Sequence, residues 1–387
     1  MDFTYSEEQE AVRQLAGQIF TDRATHERLK ELEAAAGEEG PFDRDLWKEL
    51  AGAGLLGIHL SEDVGGAGLD FVAACLVVEA AGRTAAYVPV VETMVYGALP
   101  IAQFGTDAQR KTWLTGVAAG ETVLTAALAE LNGEVIVPGG TEPATTATAN
   151  ADGSWSLRGT KACVPAALVA DAVLVPATCK AADGAVTGVG VFIVDPKALG
   201  VTLTRQSTTT GRPEAIVELA DAQVPADGLL GEDADGAAVV NAITEYATTA
   251  LCVMEAGACA AALELTAEYT KTRVQFEKPI ATFQAVGQRA ADAYVDTEAI
   301  RLTAWQAASR LASGLPASAE IAVAKFWAAE GGQRVVHAAS HLHGGVGVDR
   351  DYPLHRYFLL TRQIELTLGS ANESLRRLGR MLADEPV

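Results

Sequence analysis

Between two long helical patterns the chain reads Arg273-Val-Gln275-Phe276-Glu277-Lys-Pro279-Ile280-Ala-Thr-Phe283-Gln284. Side chains of these types can clamp an anionic, ring-bearing cofactor. A guanidinium forks a phosphate, a phenyl ring covers another ring, and a carboxamide bonds a ring edge. Without such a ligand the stretch is an ordinary helix–loop–helix with a proline stop. Further on, His337, His341 and His343 have at first sight the spacing of a metal site. No third carboxylate or cysteine ligand follows in register, so no metal is expected.

Three zones must position these residues. From Tyr5 to about Gly120 the pattern is helical. Ser6-Glu-Glu-Gln9 reads as a capping box, with Val12, Leu15, Ala16 and Ile19 on one face. A second helix is expected from about Phe42 to Ala53, followed by the glycine-punctuated loop Gly54–Gly68. That loop lacks the Gly-Lys-Ser/Thr ending of a phosphate loop. From about Glu121 to Leu230 the period shifts toward two. Short β-branched runs at 154–157, 172–176, 189–194 and 215–219 are divided by Asp152-Gly153, Asp183-Gly184 and Pro/Gly turns. They predict a compact antiparallel β domain. From about Gly236 to Arg380 long alanine-rich helices return, as in a four-helix bundle. The expected class is α+β, with an all-α domain at 1–120, a β domain at 121–232 and a helical bundle at 233–387.

Composition excludes several classes. The net charge of −21 disfavours nucleic acid and anionic membrane as partners, and the first 239 residues carry 34 Asp+Glu against 15 Lys+Arg. The C-terminal part is the more hospitable half for an anion. No apolar run is read as reaching the length of a membrane span. The start, Met1-Asp-Phe-Thr-Tyr, is acidic from its second residue and reads as neither secretory signal nor transit peptide. Five scattered cysteines without a CxxC pair fit reduced thiols, and a cytoplasmic location is expected.

The pattern Arg273-x-x-Phe276-x-x-Pro279-Ile280-x-x-Phe283-Gln284 resembles the flavin-binding turn of acyl-CoA dehydrogenases, usually R-x-Q-F-G-x-P-I-x-x-F-Q. Glu277 stands where that pattern has glycine. Gly54–Gly68 is similar to the family's G-L-x-G-x-x-x-P-E-x-x-G-G-x-G loop, with Ser61 for proline. His341-Leu-His343-Gly344-Gly345-Val-Gly347 resembles its Q-x-x-G-G-x-G loop, with His341 for glutamine. The helix–β–helix order matches the family fold over essentially the whole chain. The resemblance implies FAD, an acyl-CoA substrate and electron-transfer flavoprotein as acceptor. It also implies that Arg273, Gln275, Phe276, Phe283, Gln284, His341, Gly344 and Gly345 reach the adenosine and pyrophosphate of an FAD held by a neighbouring subunit.

The family's other motifs are missing. Its usual base is a glutamate before Gly-Thr, and here counting from Tyr352-Pro353 places Leu368 there, before Gly369-Ser370. At the alternative base position on the first helix of the bundle stands Ala250, with Leu251 where arginine is common. Glu365 and Glu255 are the nearest acids, and both read first as capping or ion-pairing groups. The T-E-P-G-x-G-S-D stretch corresponds to Ala127-Leu-Ala-Glu130-Leu-Asn-Gly-Glu. The W-I-S/T-N segment corresponds to Cys163-Val-Pro165-Ala166, where proline lacks an N–H and alanine a hydroxyl. No catalytic residue is assigned. The residues kept are those offered to a partner, and those lost are those used at home. The segment Gly345-Val-Gly-Val-Asp349-Arg350-Asp351-Tyr352-Pro353-Leu-His355-Arg356 resembles that of the non-catalytic subunits of heterotetrameric α2β2 steroid-CoA dehydrogenases of sterol-degrading bacteria. A second dehydrogenase-like subunit would then share the FAD. The alternatives are an active homotetramer with Glu365 as relocated base, and a flavin-free scaffold on the same fold.

Overall fold

The computed structural model describes residues 4–131, 142–231 and 236–384. Its helices are α1 (Glu7–Arg23), α2 (His26–Ala35), α3 (Arg44–Gly52), α4 (Phe71–Thr84), α5 (Leu99–Phe104), α6 (Asp107–Ala118), α7 (Gly236–Thr272), α8 (Gln284–Ala312), α9 (Ser318–Phe326), α10 (Gly332–His343), α11 (Leu354–Leu366) and α12 (Ala371–Asp384). Its strands are β1 (Leu124–Ala126), β2 (Ala129–Glu130), β3 (Thr146–Ala149), β4 (Trp155–Pro165), β5 (Ala172–Lys180), β6 (Val186–Val194), β7 (Val201–Arg205), β8 (Glu214–Val224), β9 (Val274–Gln275) and β10 (Lys278–Pro279). By internal contacts the chain forms two units, one of Met1–Leu29, Phe71–Ala86 and Thr248–Val387, the other of Lys30–Asp70 and Tyr87–Ala247.

In the first unit, α1 opens at the expected capping box. Ser6 Oγ accepts from the Gln9 amide at 3.2 Å, and Gln9 Oε1 accepts from the Ser6 amide at 3.0 Å. Val12, Ala16 and Ile19 are buried with Phe20, whereas Leu15 of the same predicted face is 41% exposed. Helices α4 and α7 cross at close range, and two glycines allow it. A Cβ on Gly82 would lie 2.1 Å from the Met254 carbonyl oxygen, and one on Gly257 would lie 2.3 Å from that of Glu79. A core cluster of Ala262, Ala339 and Leu354, with Tyr352 and Tyr357 against it, ties α7 to α10 and α11.

Helix α7 corrects one expectation. It is long and apolar enough to cross a membrane by length and composition, although Asn241, Thr244, Glu245, Thr248, Thr249 and Glu255 break the apolar run in the sequence. Inside the protein, 72% of its most apolar window is buried, as in a core helix.

The second unit holds α3, the glycine loop and the sheet. Asp43 caps α3 by accepting from the Leu46 amide at 3.2 Å, and Leu46, Trp47 and Leu50 are buried. In the loop, a Cβ on Gly66 would sit 2.1 Å from the Leu60 carbonyl oxygen, so only glycine fits that close approach. The eight-stranded sheet runs β1-β5-β3-β4-β8-β7, with β2 on β4 and β6 on β5. Most pairings are antiparallel, as the alternation predicts, while β5 runs parallel to both β1 and β3. The four predicted runs fall on β4, β5, β6 and β8, and the predicted turn glycines Gly153 and Gly184 take positive φ of 86° and 87°.

Candidate functional site

The stretch between the two long helices is a β-hairpin joining α7 to α8. Strands β9 and β10 pair antiparallel, Gln275 opposite Lys278 and Val274 opposite Pro279. Phe276 and Glu277 form the two-residue turn with φ of 52° and 65°. Two successive positive φ values define the type I′ hairpin turn, which is why glycine suits the position Glu277 occupies. The Ile280 amide donates to the Arg273 carbonyl at 2.9 Å and closes the hairpin base. At the tip Phe276 is 86% exposed, its ring edge-on to Phe283 at 6.2 Å, and the Lys278 ammonium stands over the Phe283 ring at 4.7 Å.

Beside this hairpin lies a cleft of about 530 Å³. Five of the predicted residues converge on its walls: Arg273, Gln275, His341, Gly344 and Gly345. Phe276, Phe283 and Gln284 are not among its lining residues. The glycines follow α10 in a 3-10 turn, Gly344–Val348, and an added Cβ at Gly344 or Gly345 would meet nothing within 4 Å. Their backbone therefore faces open space.

The cleft floor was not read from the sequence. Tyr269 stacks on His343 at 4.3 Å and 24°, and the Tyr352 ring lies 5.1 Å from the imidazole. His343 Nδ1 is 2.8 Å from the Ala339 carbonyl, so it carries the proton, and Nε2 accepts from the Tyr352 hydroxyl at 3.2 Å. Burial lowers the His343 pKa, partly offset by the Ala339 carbonyl, and favours this neutral form. The signal available was an aromatic residue one helical turn before Arg273 and the histidine at the end of α10. Among the described residues no group of three or more His, Cys, Asp or Glu is placed to hold a metal.

The bundle offers little as a base. After α11 the chain turns at Thr367, and Leu368 and Gly369 take φ of 57° and 105°. Glu365 lies in the last turn of α11, which ends at Leu366, so helical spacing does not carry it toward Leu368. Its carboxylate is ion-paired with Arg362. Ala250 is fully buried and Leu251 is 8% exposed. Glu255 is fully buried, and its Oε1 accepts from the Cys259 thiol at 3.0 Å. Burial first pushes the Glu255 carboxyl up to about 7, against the lowering by Cys259, Thr361 and Lys325. Lys325, also missed from sequence, is buried with its Nζ donating to the Ile364 and Glu365 carbonyls, where it caps the C-terminus of α11.

In the β unit, Cys163 and Ala166 take positive φ of 49° and 55° around a register slip in β4. The Cys163 amide donates to Gln206 Oε1 at 2.5 Å, and Thr125 Oγ1 donates to the Pro165 carbonyl at 2.6 Å. Glu130 accepts from Lys161 at 2.5 Å. Its carboxylate also accepts from the Thr145 amide and hydroxyl at 3.4 and 3.2 Å. The sequence stretch 132–134 that follows lies outside the described residues.

Residues 6–121 match the family model described as acyl-CoA dehydrogenase, N-terminal domain, and residues 234–383 match acyl-CoA dehydrogenase, C-terminal domain. The chain belongs to the acyl-CoA dehydrogenase family. It is 38% identical over 397 residues to the Mycobacterium tuberculosis protein named acyl-CoA dehydrogenase FadE27, with 100% of both chains covered. Among solved structures, a chain of the ChsE4–ChsE5 complex from Mycobacterium tuberculosis superposes with a TM-score of 0.91 at 38% identity over 100% of each chain. A chain of a Tcur3481–Tcur3483 steroid ACAD variant gives 0.86 at 42% identity over 98% of each.

Proposed function

We propose that this chain is the partner subunit, without a catalytic base, of a flavin-dependent acyl-CoA dehydrogenase that desaturates an acyl-CoA thioester, in particular that of a steroid side chain. One observation carries the reading: Arg273, Gln275, His341, Gly344 and Gly345 line one cleft, while Leu368 and Cys163–Ala166 hold the base and ring-binding positions. The cleft suits the adenosine and pyrophosphate half of FAD. It has a guanidinium for the phosphates, backbone facing open space at the two glycines, and an aromatic floor. When bound, the flavin supplies the hydride acceptor. This chain's share is to hold the far end of that cofactor for a second dehydrogenase-like subunit, which carries the base and the ring site.

The assembly is an α2β2 heterotetramer with FAD at the heterodimer seam, working in the cytoplasm with electron-transfer flavoprotein as acceptor. The division at 120 and 232 follows the same reading, although residue 232 lies outside the described residues. The relatives named for a two-protein complex and a steroid enzyme support it. Co-expression with the neighbouring dehydrogenase gene, then mass and flavin stoichiometry, tests it. A flavin-replete homotetramer of this chain alone would overturn it.

A further inference from the structure

The loop from Asp349 to Pro353 meets the cleft at Asp349 and is linked to it through Tyr352. Asp349 lines it directly, and Tyr352 reaches its floor through the 3.2 Å bond to His343 Nε2. Between these points lies Asp351. Its carbonyl is 3.0 Å from Nε2 of His26, the first residue of α2 and 325 positions away in sequence. His26 Nδ1 is in turn 2.7 Å from Nη1 of Arg356, a residue only 4% exposed in the first turn of α11.

The bonding directions follow from the chemistry. An arginine nitrogen only donates, so His26 Nδ1 accepts, and a carbonyl only accepts, so His26 Nε2 carries the proton. The ring thus bridges the loop and α11 with one donor and one acceptor, and a protonated imidazolium would set N–H against N–H at Arg356. The loop has its own local bonds: the Asp351 amide donates to Asp349 Oδ1 at 2.9 Å and the Tyr352 amide to the Asp349 carbonyl at 3.2 Å. These bonds shape the turn, Tyr352 packs it against the Ala262–Ala339–Leu354 cluster, and His26 adds a tie from the Asp351 carbonyl to α2 and, through Arg356, to α11.

The geometry points to His26 as a positioning residue for the cofactor cleft. It acts through Asp351 and Arg356 to hold Asp349 and Tyr352 in place for an adenosine diphosphate group. This rests on the cofactor reading above, and the test separates the two. In the full-length chain, His26→Ala should speed hydrogen exchange at the Asp349, Asp351 and Tyr352 amides, and weaken binding of ADP roughly tenfold, the worth of one or two hydrogen bonds. His26→Asn keeps an acceptor for Arg356 and should recover part of both. It also serves where the alanine variant folds poorly. Unchanged exchange, or faster exchange with ADP binding intact, would overturn the positioning role. If the wild-type chain bound no ADP, the cofactor reading would fall, while the exchange data would still judge the tether.

Discussion

Lys161 Nζ lies 2.5 Å from Glu130 Oε1, joining β4 to β2 across the register Glu130–Lys161 with side-chain exposures of 0% and 6%. Thr145 completes the carboxylate's shell from just before β3. A sealed pair of this kind is costly to break one side at a time, because the remaining charge stays buried.

Lys161→Met should therefore destabilise the protein by about 3–5 kcal/mol, whereas the double variant Glu130→Gln with Lys161→Met should cost far less. Denaturant titration of both variants measures the coupling. Equal losses in the single and double variants would show that the pair contributes through packing alone.

The second buried acid gives a pH signature. Glu255 rises from 4.5 to about 7, mainly by burial. The folded state then holds a proton that the unfolded chain releases at lower pH, so this group's stabilising share is complete below 4.5 and is lost as pH climbs through about 7. The expected fall is on the order of 3 kcal/mol. Lys325 is shifted downward by burial and opposes the trend at higher pH. Glu255→Gln, neutral throughout, should flatten the profile between pH 5 and 8 in thermal melts. A wild-type profile already flat there would contradict the assignment.

The legible parts of the molecule were those written in local chemistry. The Ser6 capping box, the Asp-Gly turns and the β-branched runs each act through neighbours a few residues away, so spacing alone exposes them. The hairpin at 274–279 escaped because Phe276 and Glu277 are unusual residues for a left-handed turn, and nothing local announces φ above zero there. The aromatic floor escaped because Tyr269, His343 and Tyr352 meet only through the packing of α7 against the end of α10 and the loop before α11. The same holds for the Lys325 cap and the Glu130–Lys161 pair, each joining residues more than 30 positions apart. Type and order pointed to five residues that line the cleft, Arg273, Gln275, His341, Gly344 and Gly345, whereas Tyr269 and His343 join its lining only through tertiary packing.

Glu277 is a direct test of that hairpin geometry. Glu277→Gly removes the Cβ strain at φ 65° and should stabilise the hairpin by about 1 kcal/mol. It also removes a negative charge four residues from Arg273. Slower exchange of the Ile280 amide, which closes the hairpin base, is the readout. Faster exchange would mean that the carboxylate makes a contact worth more than the strain.

Arg273 should carry most of the phosphate affinity of the cleft. A charge-assisted bond contributes about 1.5–3 kcal/mol, so Arg273→Ala should weaken ADP binding by roughly 10- to 100-fold. The wild-type affinity should fall with added salt, and the variant's should fall less. Titrations at two ionic strengths decide it. An Arg273→Ala affinity equal to wild type would move the phosphate site elsewhere in the cleft.

Purified alone, the chain should oxidise no saturated acyl-CoA in a dye-reduction assay. Leu368 and Ala250 cannot take a proton, Glu255 is sealed, and Glu365 is tied to Arg362. Restoring an acid should not be enough. Leu368→Glu returns a carboxylate to the turn after α11, but Pro165 and Ala166 still lack the N–H and hydroxyl that would hold a flavin ring. The variant should therefore stay inactive alone and bind no more flavin than the wild type. Turnover by Leu368→Glu would show that the β unit holds the ring without those donors. Turnover by the unmodified chain would call for Glu365→Gln, and its loss in that variant would make Glu365 the base and the chain an enzyme in its own right.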